Sequence, residues 1–124
     1  MQNENLKFEK ACAQLGISTA LPDVSMLPED KGRYILNHYK LITLIEAKNK
    51  GKRADFTDGN WKYYPWPGVC KDETHPSGFG FSHSLCDRTH SYTSVGSRLC
   101  LHSSDDALEA LEEFKEEYII NQLL

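Results

Sequence analysis

The middle of the chain, residues 58–101, is the segment that most limits what this protein can fold into. It is rich in aromatic residues, glycine, serine and threonine and poor in helix formers, whereas the segments on either side carry apolar residues at helical spacing. A chain with its β-forming residues confined to one segment builds an antiparallel sheet there and packs its helices against it. The sequence therefore predicts an α+β fold.

Two helices are predicted before this segment. The first covers "NENLKFEKACAQLG" and ends at Gly16, and the second follows Pro28 and ends with Lys48 and Gly51. Proline at a helix start, and cations followed by glycine at a helix end, are the usual boundary signals. The connector between the helices, residues 17–30, carries five large apolar residues and is predicted to lie along the core.

The middle segment is predicted to form about three strands with a central hairpin. "WKYYPW", residues 61–66, reads as a strand that must end or lie at an edge, because Pro65 and Pro67 cannot donate ladder hydrogen bonds. "GVCKDETHPSG" reads as a loop. "FGFSHSLC" and "SYTSVGSRLCL" read as two strands joined through "DRTH".

One amphipathic helix, packed on the sheet, is predicted at the C-terminal end, over "SSDDALEALEEFKEEYIINQLL". Ser103 is its expected cap, with Asp106 three residues later. Its apolar residues fall on one face. The opposite, solvated face is predicted to comprise Glu109, Glu112, Glu113, Glu116 and Glu117.

Composition limits the class of protein. The chain has 124 residues, expected to form a single domain over residues 1–124, with 40% hydrophobic and 26% charged residues, which is typical of a globular protein. The net charge of −4 lacks the basic surplus of a dedicated nucleic-acid binder. The N-terminus does not resemble a signal peptide, and no apolar run is long enough to span a bilayer. A cytoplasmic chain with reduced cysteines and no membrane partner is expected.

The stretch "SGFGFSHS", residues 77–84, resembles the central octapeptide of an RNA-recognition motif but does not predict that fold. Ser77, Ser82 and Ser84 stand where a basic, an aliphatic and an aromatic residue are expected. The motif also needs a strand before its first helix and another after its last, and neither is predicted here.

Aromatic residues of the middle segment are the candidate binding site. They could contact another protein or stack the bases of single-stranded nucleic acid beside basic residues between Lys48 and Lys62, or they could simply be core. An exposed patch with a polar rim would favour a protein partner. The candidate binding residues are Trp61, Tyr63, Tyr64, Trp66, Phe79, Phe81 and Arg98.

No metal site, cofactor or catalytic site is predicted. Candidate zinc ligands are Cys70, His75, Cys86 and His90, but the sequence has no C-x-x-C pair, and residues three apart on a strand point to opposite faces. A zinc-dependent role is therefore the third hypothesis. Cysteine–histidine pairs can be drawn in any chain with several of each, so we expect the protein not to be an enzyme.

An ordered set of motifs covers most of the chain from about Leu27: "IEAKNKG", "DFTDGNWKYYPW", "SGFGFS" and "VGSRLCL", then a helix starting near "SSDDAL". This set resembles a family of small uncharacterised proteins encoded by phages, prophages and mobile elements of Bacteroides-type bacteria. The resemblance implies a genomic context and supplies no catalytic residues. Leu101 and His102 depart from the aromatic and lysine expected at those positions of the family pattern.

The sequence as a whole predicts a non-catalytic accessory protein of a phage or mobile element that acts as a protein-interaction module. Single-stranded nucleic-acid binding is the alternative. No small-molecule ligand is predicted.

Overall fold

The computed structural model describes residues 4–83, 86–89 and 95–123. Its architecture confirms the α+β fold, with two N-terminal helices, short antiparallel strands and a C-terminal helical segment packed on them. In chain order, the elements are α1 (Glu4–Leu15), α2 (Glu29–Lys48), β1 (Lys62–Pro65), β2 (Gly68–Lys71), β3 (Phe79–His83), β4 (Cys86–Thr89), a 3₁₀ turn (Ser97–Leu99), α3 (Ser104–Glu113) and α4 (Lys115–Leu123).

The four strands form two antiparallel pairs, β1 with β4 and β2 with β3. The pairs are nested in register: Lys62 faces Thr89 at one end and Lys71 faces Phe79 at the other. They are therefore consecutive parts of one long hairpin that turns at residues 72–78. At its base, the Tyr63 N–H donates to the Leu101 carbonyl at 2.9 Å, and the Leu101 N–H donates back at 2.7 Å.

This hairpin differs from the predicted one. Residues 68–71, predicted as a loop, form β2, and residues 87–89, predicted as part of a turn, form β4 together with Cys86. The predicted strand over residues 91–101 is wrong at Ser97–Leu99, which form a 3₁₀ turn, while its residues 91–94 lie outside the described chain. The pairing of β1 with β4 joins segments more than twenty residues apart, so local alternation alone does not reveal it.

Both predicted helix ends are confirmed by their glycines. Gly16 adopts φ +70° after α1, and after α2 both Lys50, with φ +57°, and Gly51, with φ +81°, adopt the left-handed conformation that closes a helix and that glycine favours. The Gly51 N–H donates to the Glu46 carbonyl at 2.9 Å, five residues earlier.

The connector between α1 and α2 does not lie along the core, contrary to the prediction. Ile17, Leu21 and Leu27 are exposed, and Met26 is 96% exposed. Val24 is half-buried at the α2 glycine Gly32, where an added Cβ would come within 3.1 Å of the Val24 Cγ2. A connector with few long-range contacts has little surface against which its apolar residues can be buried. The number of apolar residues in the connector therefore did not predict whether it lies along the core.

The predicted C-terminal helix is divided at Phe114, whose φ of −111° and ψ of 30° end α3. Its N-terminal cap is confirmed, since the Ser103 Oγ accepts from the Asp106 N–H at 3.1 Å. α3 packs against β1 and β4, and α4 packs against α2 and β3.

Glu117 does not lie on a solvated face, contrary to the prediction. It is 0% exposed, and the Lys7 ammonium lies 3.7 Å from its Oε1. Position 117 lies two turns after Ala110, which is also 0% exposed, on the same side of the helix axis. Glu117 faces α1 and α2, where its carbonyl accepts from the Asn37 Nδ2 at 2.8 Å.

The core lies where all four helices and β1 meet. α2 and α3 contribute most of its side chains, and Tyr63 packs against it from the sheet. No helix in the described part of the chain is both long and apolar enough to cross a bilayer. The core cluster comprises Ala11, Leu41, Leu44, Ile45, Ala47, Leu101, Ala107, Ala110, Leu111, Phe114 and Tyr118.

Alkaline pH is expected to destabilise the protein through Cys100. Burial raises the pKa of this thiol from 9.0 to about 11, against an opposing effect of Lys62. Between those values the unfolded chain releases the proton and the folded chain keeps it, so this stabilisation is complete below pH 9 and is lost as the pH approaches 11. Urea unfolding at a series of pH values should show the loss. Cys100→Ala should flatten the curve, and an equal slope in that variant would contradict the assignment.

Candidate functional site

The structure places the residues of the predicted aromatic site in different environments. Trp61 and Trp66 are 44% and 63% exposed, whereas Tyr63 packs partly on the core and Tyr64 is half-buried. Phe79 and Phe81 belong to β3, but their side chains lie outside the described part of the structure. Arg98 is exposed on the 3₁₀ turn and lines a cavity that none of these aromatic residues line.

Trp66 stands in an apolar groove of about 430 Å³. Tyr64 and the two flanking prolines share the groove with Trp66, and Val69 of β2 extends it as a 50% exposed side chain. The groove is lined by Tyr64, Pro65, Trp66, Pro67, Val69, Asp87, Val95 and Gln122.

Asp87 is the one charged side chain among the described residues that line the Trp66 groove. The register places it opposite Tyr64, whose hydroxyl donates to the Asp87 Oδ2 at 3.3 Å. The groove therefore combines aromatic and proline surface with a single carboxylate.

Trp61 belongs to a different surface. Side chains alternate along a strand, so Trp61 shares a face with Tyr63, while Trp66 shares a face with Tyr64. The Arg88 guanidinium lies 4.4 Å from the centroid of the Trp61 ring, a cation–π contact. The two exposed indoles therefore do not form one continuous patch.

The basic rim predicted between Lys48 and Lys62 is neutralised at both ends. The Lys48 ammonium lies 3.1 Å from Glu109 and 3.0 Å from Glu113. Burial lowers the pKa of Lys48, but hydrogen bonds to these two carboxylates outweigh it and the net pKa is raised.

Lys62 is only 1% exposed, although it lies on the strand expected to carry the rim. Its ammonium donates to the Asp58 Oδ1 at 2.5 Å and to the Asn60 carbonyl at 2.7 Å, and lies 5.2 Å from the Phe56 ring centroid. The hydrogen bond from Lys62 is the main cause that lowers the pKa of Asp58. Lys62 therefore stabilises the loop before β1 and is not available to an incoming phosphate.

The candidate zinc ligands are not gathered into a site. Cys70 is exposed on β2, and burial raises the pKa of Cys86 on β4. His75 bonds to Glu116 of α4 at 2.7 Å through its Nε2, tying the hairpin turn to the helix. His90 lies outside the described residues. Among residues 4–83, 86–89 and 95–123, no group of three potential ligands could hold a metal ion.

Asp87, Val95 and Gln122 are groove residues that sequence reasoning missed. They come from three separate segments, and only the β1–β4 register and the position of α4 bring them beside Trp66. The "PWP" run was the available signal, because two prolines around an indole hold it at a strand end where it cannot pair.

Comparison with protein-family models, with curated proteins and with solved structures finds no match to this chain. Function is therefore inferred from the Trp66 groove and its charges.

Proposed function

We propose that this chain is a non-catalytic protein-interaction module that binds a segment of another protein in the Trp66 groove. The observation that carries the proposal is a 63% exposed indole beside Tyr64 and Pro67 in that groove. Tryptophan and tyrosine dominate binding energy at protein interfaces, because they offer large, rigid contact surfaces. Proline fixes the backbone on both sides of Trp66, so little entropy is lost when a partner contacts it.

The chemistry of the groove indicates the partner. An apolar segment with a lysine or arginine would complement the aromatic surface and the Asp87 carboxylate, and the chain's net charge of −4 acts in the same direction. Pro65 and Pro67 offer no N–H groups, so the partner is recognised through side chains and not by extending the sheet at this point.

Single-stranded nucleic acid is the alternative, and its supporting observation is on the Trp61 face, where Arg88 stacks on the ring. Two features oppose it. Phosphates in the Trp66 groove would approach Asp87, and Lys48 and Lys62 are already engaged with carboxylates. The resemblance to phage and mobile-element proteins suggests a host or phage protein as the physiological partner.

Peptide selection tests the proposal directly. Random peptides displayed on a library are selected against the immobilised protein, and the dissociation constants of the selected peptides are measured by isothermal titration calorimetry. We expect apolar sequences that contain lysine or arginine. Trp66→Ala should weaken their binding by about 30-fold or more, as for an interface hot spot, and Asp87→Asn should weaken it through the lost charge.

Trp61→Ala is the matched control, since it removes an exposed indole from the other face and should leave peptide binding unchanged. Trp66→Ala should change the free energy of unfolding by less than about 0.5 kcal/mol. Trp61→Ala should change it only through the loss of the cation–π contact with Arg88. Equal losses in both variants, or acidic winners, would contradict the proposal. A salt-sensitive titration with oligothymidylate that Trp61→Ala abolishes would favour nucleic acid instead.

A further inference from the structure

The Trp66 groove carries two hydrogen-bond donors that the described part of the chain leaves unused. The indole N–H of Trp66 and the side-chain amide of Gln122 belong to exposed side chains, and neither donates to another described residue. The Tyr64 hydroxyl, in contrast, donates to the Asp87 Oδ2 at 3.3 Å. A partner that covers the groove removes water from both donors, so it must bring acceptors of its own.

The need for acceptors distinguishes the conformations that a partner segment could adopt. An α-helix uses its backbone carbonyls for its own hydrogen bonds. A β-strand is held by a ladder of backbone hydrogen bonds, and Pro65 and Pro67 lack two of the N–H groups that such a ladder would use. A polyproline II segment has no internal hydrogen bonds, and its prolines offer carbonyls without N–H groups. Its backbone therefore matches the unused donors.

The aromatic side chains of the groove have a spacing that suits the same conformation. Tyr64 lies in β1 and Trp66 directly follows that strand, so the two residues share a face and lie about 7 Å apart along the chain. Polyproline II rises about 3.1 Å per residue, so this separation corresponds to two or three residues of a partner. Proline-rich segments dock in grooves lined by aromatic side chains.

The small size of the groove favours a partner whose backbone is already ordered. Its volume is about 430 Å³, and it offers one indole that is 63% exposed and one carboxylate. A flexible peptide loses conformational entropy at every residue that becomes ordered on binding. A proline-rich segment loses less, because its rings fix φ before it binds. The few contacts available in this groove are therefore most effective with such a segment.

We infer that the Trp66 groove binds a proline-rich segment of another protein in the polyproline II conformation, beside an arginine or lysine that pairs with Asp87. The proline rings pack on Trp66 and Tyr64, and the segment's carbonyls accept from the Trp66 indole and the Gln122 amide. The basic residue lies near Tyr64, because the strand register places Asp87 opposite that residue. This inference rests on the proposed function, since it specifies the partner of the same groove.

Three acetylated and amidated peptides test the conformation of the partner: APPPPPRPA, APPPPPQPA and ALALALRLA. The last keeps the arginine and the apolar character but contains no proline. The chain has two tryptophans, so the ¹⁵N-labelled protein gives two indole N–H signals, which Trp61→Ala and Trp66→Ala assign. APPPPPRPA should shift the Trp66 signal and leave the Trp61 signal in place. ALALALRLA should bind about tenfold or more weakly, because its backbone is flexible.

A double-mutant cycle tests the pairing with Asp87. APPPPPQPA should bind about fivefold more weakly than APPPPPRPA, and Asp87→Asn should weaken APPPPPRPA by a similar factor. The same variant should not change the binding of APPPPPQPA, because that peptide has no charge to lose. Asparagine keeps an oxygen that can accept from Tyr64. Glu73→Gln, at an exposed carboxylate in the hairpin turn, is the matched control and should have no effect.

Gln122→Ala tests the recognition of the partner's carbonyls. It removes one of the two unused donors and should weaken both proline-rich peptides by about fivefold. Unchanged binding of APPPPPRPA in Gln122→Ala or in Asp87→Asn would overturn the inference, because the segment would be held by apolar contact alone.

The peptides also separate this inference from the proposed function. If ALALALRLA shifts the Trp66 signal and binds as tightly as APPPPPRPA, the polyproline II conformation is wrong and the interaction groove stands. The same conclusion follows if the proline-rich peptides fail and library selection returns binders without proline that require Trp66. If library selection returns no peptide that requires Trp66, and none of the three peptides shifts its signal, both proposals are wrong.

Discussion

Tyr118→Phe is expected to stabilise the protein by about 1–3 kcal/mol, the usual penalty of a buried polar group without a hydrogen-bond partner. Tyr118 is 1% exposed in the core, and its hydroxyl makes no hydrogen bond in the described structure. Burial also raises the pKa of this phenol. Removing the hydroxyl therefore removes an unfavourable group and leaves the ring in place.

Tyr118→Ala should have the opposite effect and cost about 3–5 kcal/mol, because it leaves a cavity where the four helices meet. Urea denaturation of the wild type and both variants gives the free energies of unfolding. Tyr64→Phe is the matched control: its hydroxyl donates to Asp87, so its removal should cost about 0.5–1.5 kcal/mol. If Tyr118→Phe also destabilises the protein, the hydroxyl has a partner in solution, and the expected gain is wrong.

Lys62 is expected to stabilise the fold through its aliphatic stem more than through its charge. Lys62→Ala removes a side chain that is only 1% exposed and should cost about 2–5 kcal/mol, as for a buried methionine. Lys62→Met keeps an aliphatic side chain of similar length and removes the buried ammonium, which lies 5.2 Å from the Phe56 ring centroid. Asp58, the partner of this ammonium, keeps 38% of its side chain exposed and stays solvated without Lys62, so this variant should match the wild type to within about 1 kcal/mol.

Asp58→Asn tests the other side of this ion pair. It leaves the Lys62 ammonium buried without its carboxylate, so it should destabilise the protein more than Lys62→Met does. Lys50→Ala, at an exposed lysine nearby, should change the free energy of unfolding by less than about 0.5 kcal/mol. A Lys62→Met variant as unstable as Lys62→Ala would show that the charge itself is needed. Peptide binding in the Trp66 groove should be unchanged in a folded Lys62→Met variant.

Local signals determined the helices of this protein. Gly16 and Gly51 close α1 and α2, and Ser103 caps α3, because each of these boundaries depends on a conformation or hydrogen bond available within a few residues. The α+β class followed from the same kind of local information, since helical and extended spacing can each be read over one or two turns.

Tertiary structure alone decided the pairing of the strands and the content of the candidate sites. Asp87 meets Tyr64 through a register set over twenty residues of intervening chain, and Arg53 and Arg98 line one cavity because the 3₁₀ turn packs on α2. Lys62 and Glu117 are buried although their residue types and spacing predicted exposure. A charged side chain can be buried when a counter-charge lies beside it, as Asp58 does for Lys62 and Lys7 does for Glu117. Asp58 is only four residues before Lys62, but the contact between Glu117 and Lys7 joins two distant segments, which no local pattern contains.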